Sequence, residues 1–307
     1  MKRVLFFTTM TSIFFLLTGP GAAPARAQIM DLIRSASKNC AVDTRYAFVK
    51  DCTGDEAAKI ETELKQKGVT ASLGNFAAAL NDKDDKIKAV ACKFIYRQYR
   101  DNIGELDKNR ASIPVAVVEQ FLRGLAGTKS YVAFYAVEVA VHLSMMKGME
   151  AKLYKVLSGH PESVVTLEGY RHLMRFGRIR VFGKVQELAK NADPKISLAA
   201  LEAPNNMYKM DDAEKAQVCP WAKGFLSSAE GNMSLAAGKT MNQCGGTYID
   251  ALLTEAEKRA GEGKLGAPFS GALTSFTFSC TPMFGSPPAG TKEQCDRREA
   301  LVKLLKK

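Results

Sequence analysis

Apolar side chains recur at the helical period in nearly every long segment of this chain, and no segment alternates for long enough to make a half-buried strand. The clearest stripe is Val132, Tyr135, Ala136, Val139, Ala140, Leu143 and Met146, which fall on one face of a helix that begins after Thr128. Ile87, Val90, Ala91, Phe94 and Ile95 make a second stripe over about 84–100. A third, Val118, Phe121, Leu122 and Leu125, follows Ser112, with Pro114 tolerated in its first turn. Near the start, Thr53-Gly54-Asp55-Glu56 reads as a capping box ahead of Ala57, Ile60 and Leu64, and Gly68 stops that helix. Shorter helices are expected over 151–157, 161–176, 181–190 and 194–202, and others over 211–228, 248–260 and 292 to the end. Thr274 to Phe278 is the one short strand candidate, so the expected class is all-α.

The order of these helices repeats. Gly127-Thr128-Lys129-Ser130, His160-Pro161-Glu162-Ser163 and Ala192-Asp193-Pro194-Lys195 each introduce an apolar helix, and Pro161 and Pro194 stand 33 residues apart. Asp82-Lys83-Asp84-Asp85 ahead of Ile87 is a possible earlier copy. Helix pairs recurring every 30 to 47 residues or so mark an α-solenoid, whose units bury a common core only by stacking on their neighbours. Asp193-Pro194-Lys195-Ile196 with Ala199 and Ala200 resembles the second helix of a HEAT-type repeat, and the resemblance spans residues 55–203. It implies a curved superhelix used mainly for binding. Glu168 departs from the pattern, standing where a small residue is expected, and an irregular bundle of the same helices is the competing arrangement.

The two ends differ from this middle. Lys2 and Arg3, the apolar run Val4 to Leu17, Gly19-Pro20 and Ala25-Arg26-Ala27 read as a signal peptide over 1–27. The apolar run is too short for a permanent membrane anchor, which needs about 20 residues. Cleavage before Gln28 would lower the formal charge from +11 to +8 and place the chain in the periplasm or outside the cell. There nucleic acid is not an expected partner, and acidic proteins or anionic envelope polymers are. Seven cysteines in an exported chain are read first as disulfides: Cys40 with Cys52, Cys219 with Cys244 and Cys280 with Cys295, leaving Cys92 as a buried thiol. Residues 28–54 then form an N-terminal cap, 55–203 the repeats, and 204–307 a disulfide-stapled helical cap holding the single tryptophan, Trp221.

No motif announces catalysis, metal or cofactor chemistry. Gly238-Lys239-Thr240 resembles the end of a phosphate-binding loop, but Met233 occupies the position of its first glycine. Ser35-Ala36-Ser37-Lys38 matches Ser-x-x-Lys without its companion elements. Cys219-Pro220-Trp221-Ala222-Lys223 lacks the second cysteine of a redox motif, and His142, His160 and His172 show no zinc-binding spacing. Two basic clusters remain as candidate binding residues. Arg97 and Arg100 interleave with Tyr96 and Tyr99, while Arg171, Arg175 and Arg178 are expected on one helical face with Arg180 close behind. The C-terminal helix is expected to pack Leu301, Leu304 and Leu305 onto the body. The function these features imply is a non-enzymatic scaffold that binds a protein or an anionic envelope polymer through a repeat surface. A cell-envelope hydrolase with dispersed catalytic residues is the alternative, to be told apart by a pocket gathering Glu or Asp with a His.

Overall fold

The computed structural model describes residues 22–43, 48–52, 54–207, 210–275, 278, 280 and 290–306. Sixteen helices and one hairpin of two strands are found there. In chain order they are α1 (Ala22–Asn39), β1 (Cys40–Asp43), β2 (Phe48–Cys52), α2 (Asp55–Lys67), α3 (Val69–Leu80), α4 (Asp85–Asp101), α5 (Ile103–Lys108), α6 (Val115–Ala126) and α7 (Ser130–Met146). There follow α8 (Glu150–Ser158), α9 (Ser163–Arg175), α10 (Phe182–Leu188), α11 (Pro194–Glu202), α12 (Asp212–Lys223), α13 (Gly231–Cys244), α14 (Gly246–Gly261), α15 (Gly271–Thr274) and α16 (Lys292–Leu304). The chain is all-α in class. Most of the expected leader, residues 1–21, lies outside the described residues, and α1 runs across the expected cleavage point.

The helices pack as neighbours in two files. One file runs α3, α6, α8; the other runs α1, α4, α7, α9, α11 and continues to α13. Across the files α3 pairs with α4, α6 with α7, α8 with α9 and α10 with α11. The stripes read from sequence face inward: Ile87, Val90, Ala91, Phe94 and Ile95 of α4 are buried, as are Val118, Phe121, Leu122 and Leu125 of α6. In α7, Ala136, Val137, Val139, Ala140, Val141 and Leu143 are all buried, so over 136–143 apolar burial reaches beyond a single stripe, with Glu138 and His142 as its polar members; the side chains of Val132 and Tyr135 lie outside the described ones. The helix is enclosed by α4, α6, α8 and α9, and a helix with such wide apolar burial belongs at the centre.

Five helices, α1, α3, α5, α13 and α15, escape the periodicity reading, and two of them show why. In α3, Val-Thr-Ala-Ser-Leu-Gly-Asn-Phe-Ala-Ala-Ala-Leu is apolar on most sides, with Leu73, Phe76, Ala77 and Leu80 buried against α4 and α6. In α13 the small residues carry the packing. A Cβ on Gly238 would lie 2.6 Å from Ala272 Cβ and 3.1 Å from Leu252 Cδ1, so Gly238-Lys239-Thr240 is a helix-packing sequence and no phosphate loop.

Several sequence expectations are corrected. The segment beyond Asn39 forms the antiparallel hairpin β1–β2, while the strand candidate starts on Thr274, the last residue of α15; residues 276 and 277 lie outside the described residues. The N-cap of α2 is Gly54, without a side-chain cap, and Thr53 lies outside the described residues. Pro114 is the extended N-cap of α6 and not a residue of its first turn. Leu304 is 51% exposed, so of the three leucines expected to dock α16 only Leu301 is fully inside. The disulfides Cys219–Cys244 and Cys280–Cys295 are formed as expected, Cys40 is disulfide-bonded and stands opposite Cys52 in the hairpin register, and Cys92 is a free, buried thiol whose ionisation burial pushes up.

Helices on either side of residue 203 are in contact. Asp193 caps α11 by accepting from Lys195 N at 2.9 Å, and α11 then packs on α13. Trp221 of α12 sits edge-on to Phe182 of α10 at 5.1 Å and to Phe225 at 5.3 Å. Thr240 donates to Asn205 Oδ1 at 2.9 Å and Gln243 to Asn205 O at 3.2 Å, tying α13 to the turn after α11. No helix among the described residues is long and apolar enough to cross a membrane.

Candidate functional site

The ends of α4, α7 and α9 lie side by side and carry the densest gathering of titratable and aromatic groups. The His142 ring of α7 stands between two aromatic rings, 5.3 Å from Tyr99 of α4 and 5.5 Å from Phe176 at the end of α9, both edge-on. Its Nε2 lies 3.0 Å from Asp107 Oδ1 of α5, and its Nδ1 is buried without a hydrogen-bond partner among the described residues. The ring is only 6% exposed, whereas the Asp107 side chain is 57% exposed. Tyr96 donates to Glu138, and Arg175 reaches the same carboxylate at 3.6 Å. Arg100 packs over the Tyr96 ring, its Cζ 5.7 Å from the ring centre.

Local rules explain why these groups meet. Tyr96, Tyr99 and Arg100 fall in the last turns of α4, with Tyr99 facing inward and buried. Arg100 and Arg175 occupy the last turns of α4 and α9, where cations offset the partial negative charge of unpaired carbonyls. Burial pushes both phenols up, and the Glu138 carboxylate adds to the rise, so neither tyrosine ionises near neutral pH.

The five arginines singled out from sequence part company in the fold. Arg100 and Arg175 converge on Tyr96 and Glu138. Arg97 turns away to Glu61 of α2 at 2.5 Å, and Arg171 bonds Glu168 one turn back at 2.8 Å. Arg178 does not share a helical face with Arg171 and Arg175. The helix ends at Arg175, Gly177 turns the chain at φ +70°, and Arg178 reaches Glu150 of α8 at 3.3 Å, a carboxylate it shares with Arg180. Most of the expected basic ridge is therefore neutralised by acids on neighbouring helices.

Asp107, Glu138 and Phe176 are the members of the gathering that sequence reasoning missed. Glu138 had a readable signal, being the one acid in the apolar helix α7. Asp107 had none, because the six-residue α5 is too short to show a period. The other histidines serve the backbone and side chains near them: His160 Nδ1 accepts from Glu162 N at 3.1 Å at the start of α9, and His172 Nε2 lies 3.1 Å from Glu168. Ser35 and Ser37 of the Ser-x-x-Lys match bond Glu56 and the Arg34 carbonyl. No group of three potential metal ligands occurs among the described residues.

Chemically, the gathering offers two guanidinium groups, two carboxylates and aromatic edges, with Phe176 37% exposed. The gathering therefore combines apolar surface with charges of both signs. No family model, no curated protein and no solved structure matches this chain.

Proposed function

We propose that this chain is an exported α-solenoid of HEAT-like helix pairs, closed at its C-terminal end by a disulfide-stapled cap, that binds another protein through the surface where α4, α7 and α9 end. The reading is supported chiefly by one observation: α4, α7, α9 and α11 pack in succession, with α3, α6 and α8 alongside, so equivalent helix ends line a single edge. The signal-like N-terminus and the disulfides agree with an oxidising compartment. An anionic envelope polymer is the other partner class that a basic edge could serve, but the pairing of Arg97, Arg171 and Arg178 with acids leaves little charge for it.

The test is capture from an envelope extract with the chain from Gln28 onward and with an Arg100→Ala, Arg175→Ala, Phe176→Ala variant. The triple variant is expected to lose a specific protein partner, with affinity falling roughly tenfold or more. Equal recovery by both proteins would remove the docking surface.

The Asp107–His142 pair supports a second reading, an envelope hydrolase in which the imidazole works as a base. That reading requires His142→Asn to abolish hydrolysis, and unchanged hydrolysis in the variant would remove it.

A further inference from the structure

The two disulfides of the C-terminal region sit in opposite surroundings. Cys219 and Cys244 are 0% and 7% exposed, closed inside the contact between α12 and α13. Cys280 and Cys295 are both only half-buried. One turn along α16 from Cys295, Arg298 folds back so that Nη1 lies 4.0 Å from Cys280 Sγ. Its guanidinium is fixed there by donation from Nε to Leu273 O at 2.5 Å and by the Phe278 ring, whose centre is 5.0 Å from Cζ.

Thiol–disulfide exchange depends on access to the attacked sulfur and on how well the departing sulfur holds negative charge. A guanidinium keeps its charge throughout the ordinary pH range, so Arg298 stabilises a thiolate on Cys280. Among the described residues no cation is found against Cys295 as Arg298 is against Cys280. The Cys295 N–H is already bonded to Thr291 O at 2.9 Å, which places it past the free donors of the helix start, and Glu293 and Asp296 flank it in sequence. We propose that Cys280–Cys295 is a thiol-exchange site, in which an incoming thiol attacks Cys295 and Cys280 departs, with Arg298 positioning the departing charge.

The step balances as follows. The thiolate of a small or protein thiol forms a new S–S bond with Cys295 Sγ, the Cys280–Cys295 bond breaks, and its electron pair leaves on Cys280 Sγ as thiolate. The proton of the incoming thiol goes to solvent. A second thiolate then releases Cys295 as a thiol and carries away the disulfide of the two incoming groups. The substrate class is therefore a monothiol such as glutathione or a protein dithiol, and the site is independent of the docking surface proposed above.

Reduced glutathione, added to the native protein and followed by alkylation and peptide mass spectrometry, tests this directly. Cys280–Cys295 is expected to open while Cys219–Cys244 stays closed, with the glutathione adduct on Cys295 and the free thiol on Cys280. In singly reduced protein the alkylation of Cys280 against pH is expected to reach its half-point about one unit below an ordinary thiol, and Arg298→Gln to move it back up. Arg298→Gln should also slow opening about tenfold relative to the wild type. Simultaneous opening of both disulfides, an adduct on Cys280, or an unmoved pH profile in Arg298→Gln would each overturn the assignment. The first two outcomes are read on the wild-type protein, so they stand even if the variant is poorly folded.

Discussion

The helices over 55–202 and those from 203 onward are alike in kind, and the second region adds two disulfides. In the files, large side chains close the core: Phe76, Tyr99 and Phe121 are fully buried, and α7 is surrounded on every side. Close approach occurs there as well, at Gly169, where a Cβ would lie 2.4 Å from Leu157 Cδ2, and at Gly124, where it would lie 2.8 Å from Leu80 Cβ. Beyond Glu202 large side chains such as Phe269, Phe278, Leu252 and Leu253 are buried too, and small residues of α13, buried polar groups such as Thr240 and Asn242 and two disulfides add to the packing. A helix that buries small groups gains less from leaving water, because the gain scales with apolar area removed. Cross-links add to that burial by restricting the unfolded chain.

The largest effect that separates the two regions is expected at Phe121→Ala. Deleting this 0% exposed ring from α6 should cost about 3–5 kcal/mol in urea unfolding followed by circular dichroism. A loss below about 1 kcal/mol would mean that the files do not depend on their large side chains. Next comes the double variant Cys219→Ser, Cys244→Ser, which opens a link between residues 25 apart and is expected to cost about 3 kcal/mol. Trp221, the single tryptophan, reports on α12 and its contact with Phe182. In the double variant its fluorescence transition should precede the loss of helical signal, and coincident transitions would show one cooperative unit instead.

The smallest effect concerns Glu168, the buried acid of α9. Burial pushes its carboxyl up, but the hydrogen bonds and charges of His172 and Arg171 more than offset that and leave it below its ordinary range. A carboxylate held down in the fold adds stability above its unfolded pKa and loses it as pH falls toward the folded one. Glu168→Gln should therefore cost about 1–2 kcal/mol at neutral pH and converge with the wild type in acid, once pH falls below the lowered carboxyl range. A gap of the same size at both pH values would assign the loss to packing and not to charge.

Where a helix has one apolar face, sequence located it well. The start and end of α11 at Pro194 and Glu202 follow from Asp193, and the buried stripes of α4 and α6 follow from their spacing. Where burial is nearly complete, as in α3, or rests on small residues, as in α13, the period carries no contrast and the helices went unread. The candidate site was half legible for a similar reason. Tyr96, Tyr99, Arg100 and Arg175 stand out as types in a pattern, while Asp107 comes from a helix too short to have one.

Local chemistry, written in the chain, thus determined the all-α class, two of the disulfide partners and most helix limits, since each depends on residues close in sequence. The partners of the charged groups were decided only by tertiary structure. Glu61, Glu138 and Glu150 come from other helices to meet Arg97, Arg175 and Arg178, and a guanidinium is held by whatever the packing of distant segments brings within a few ångströms.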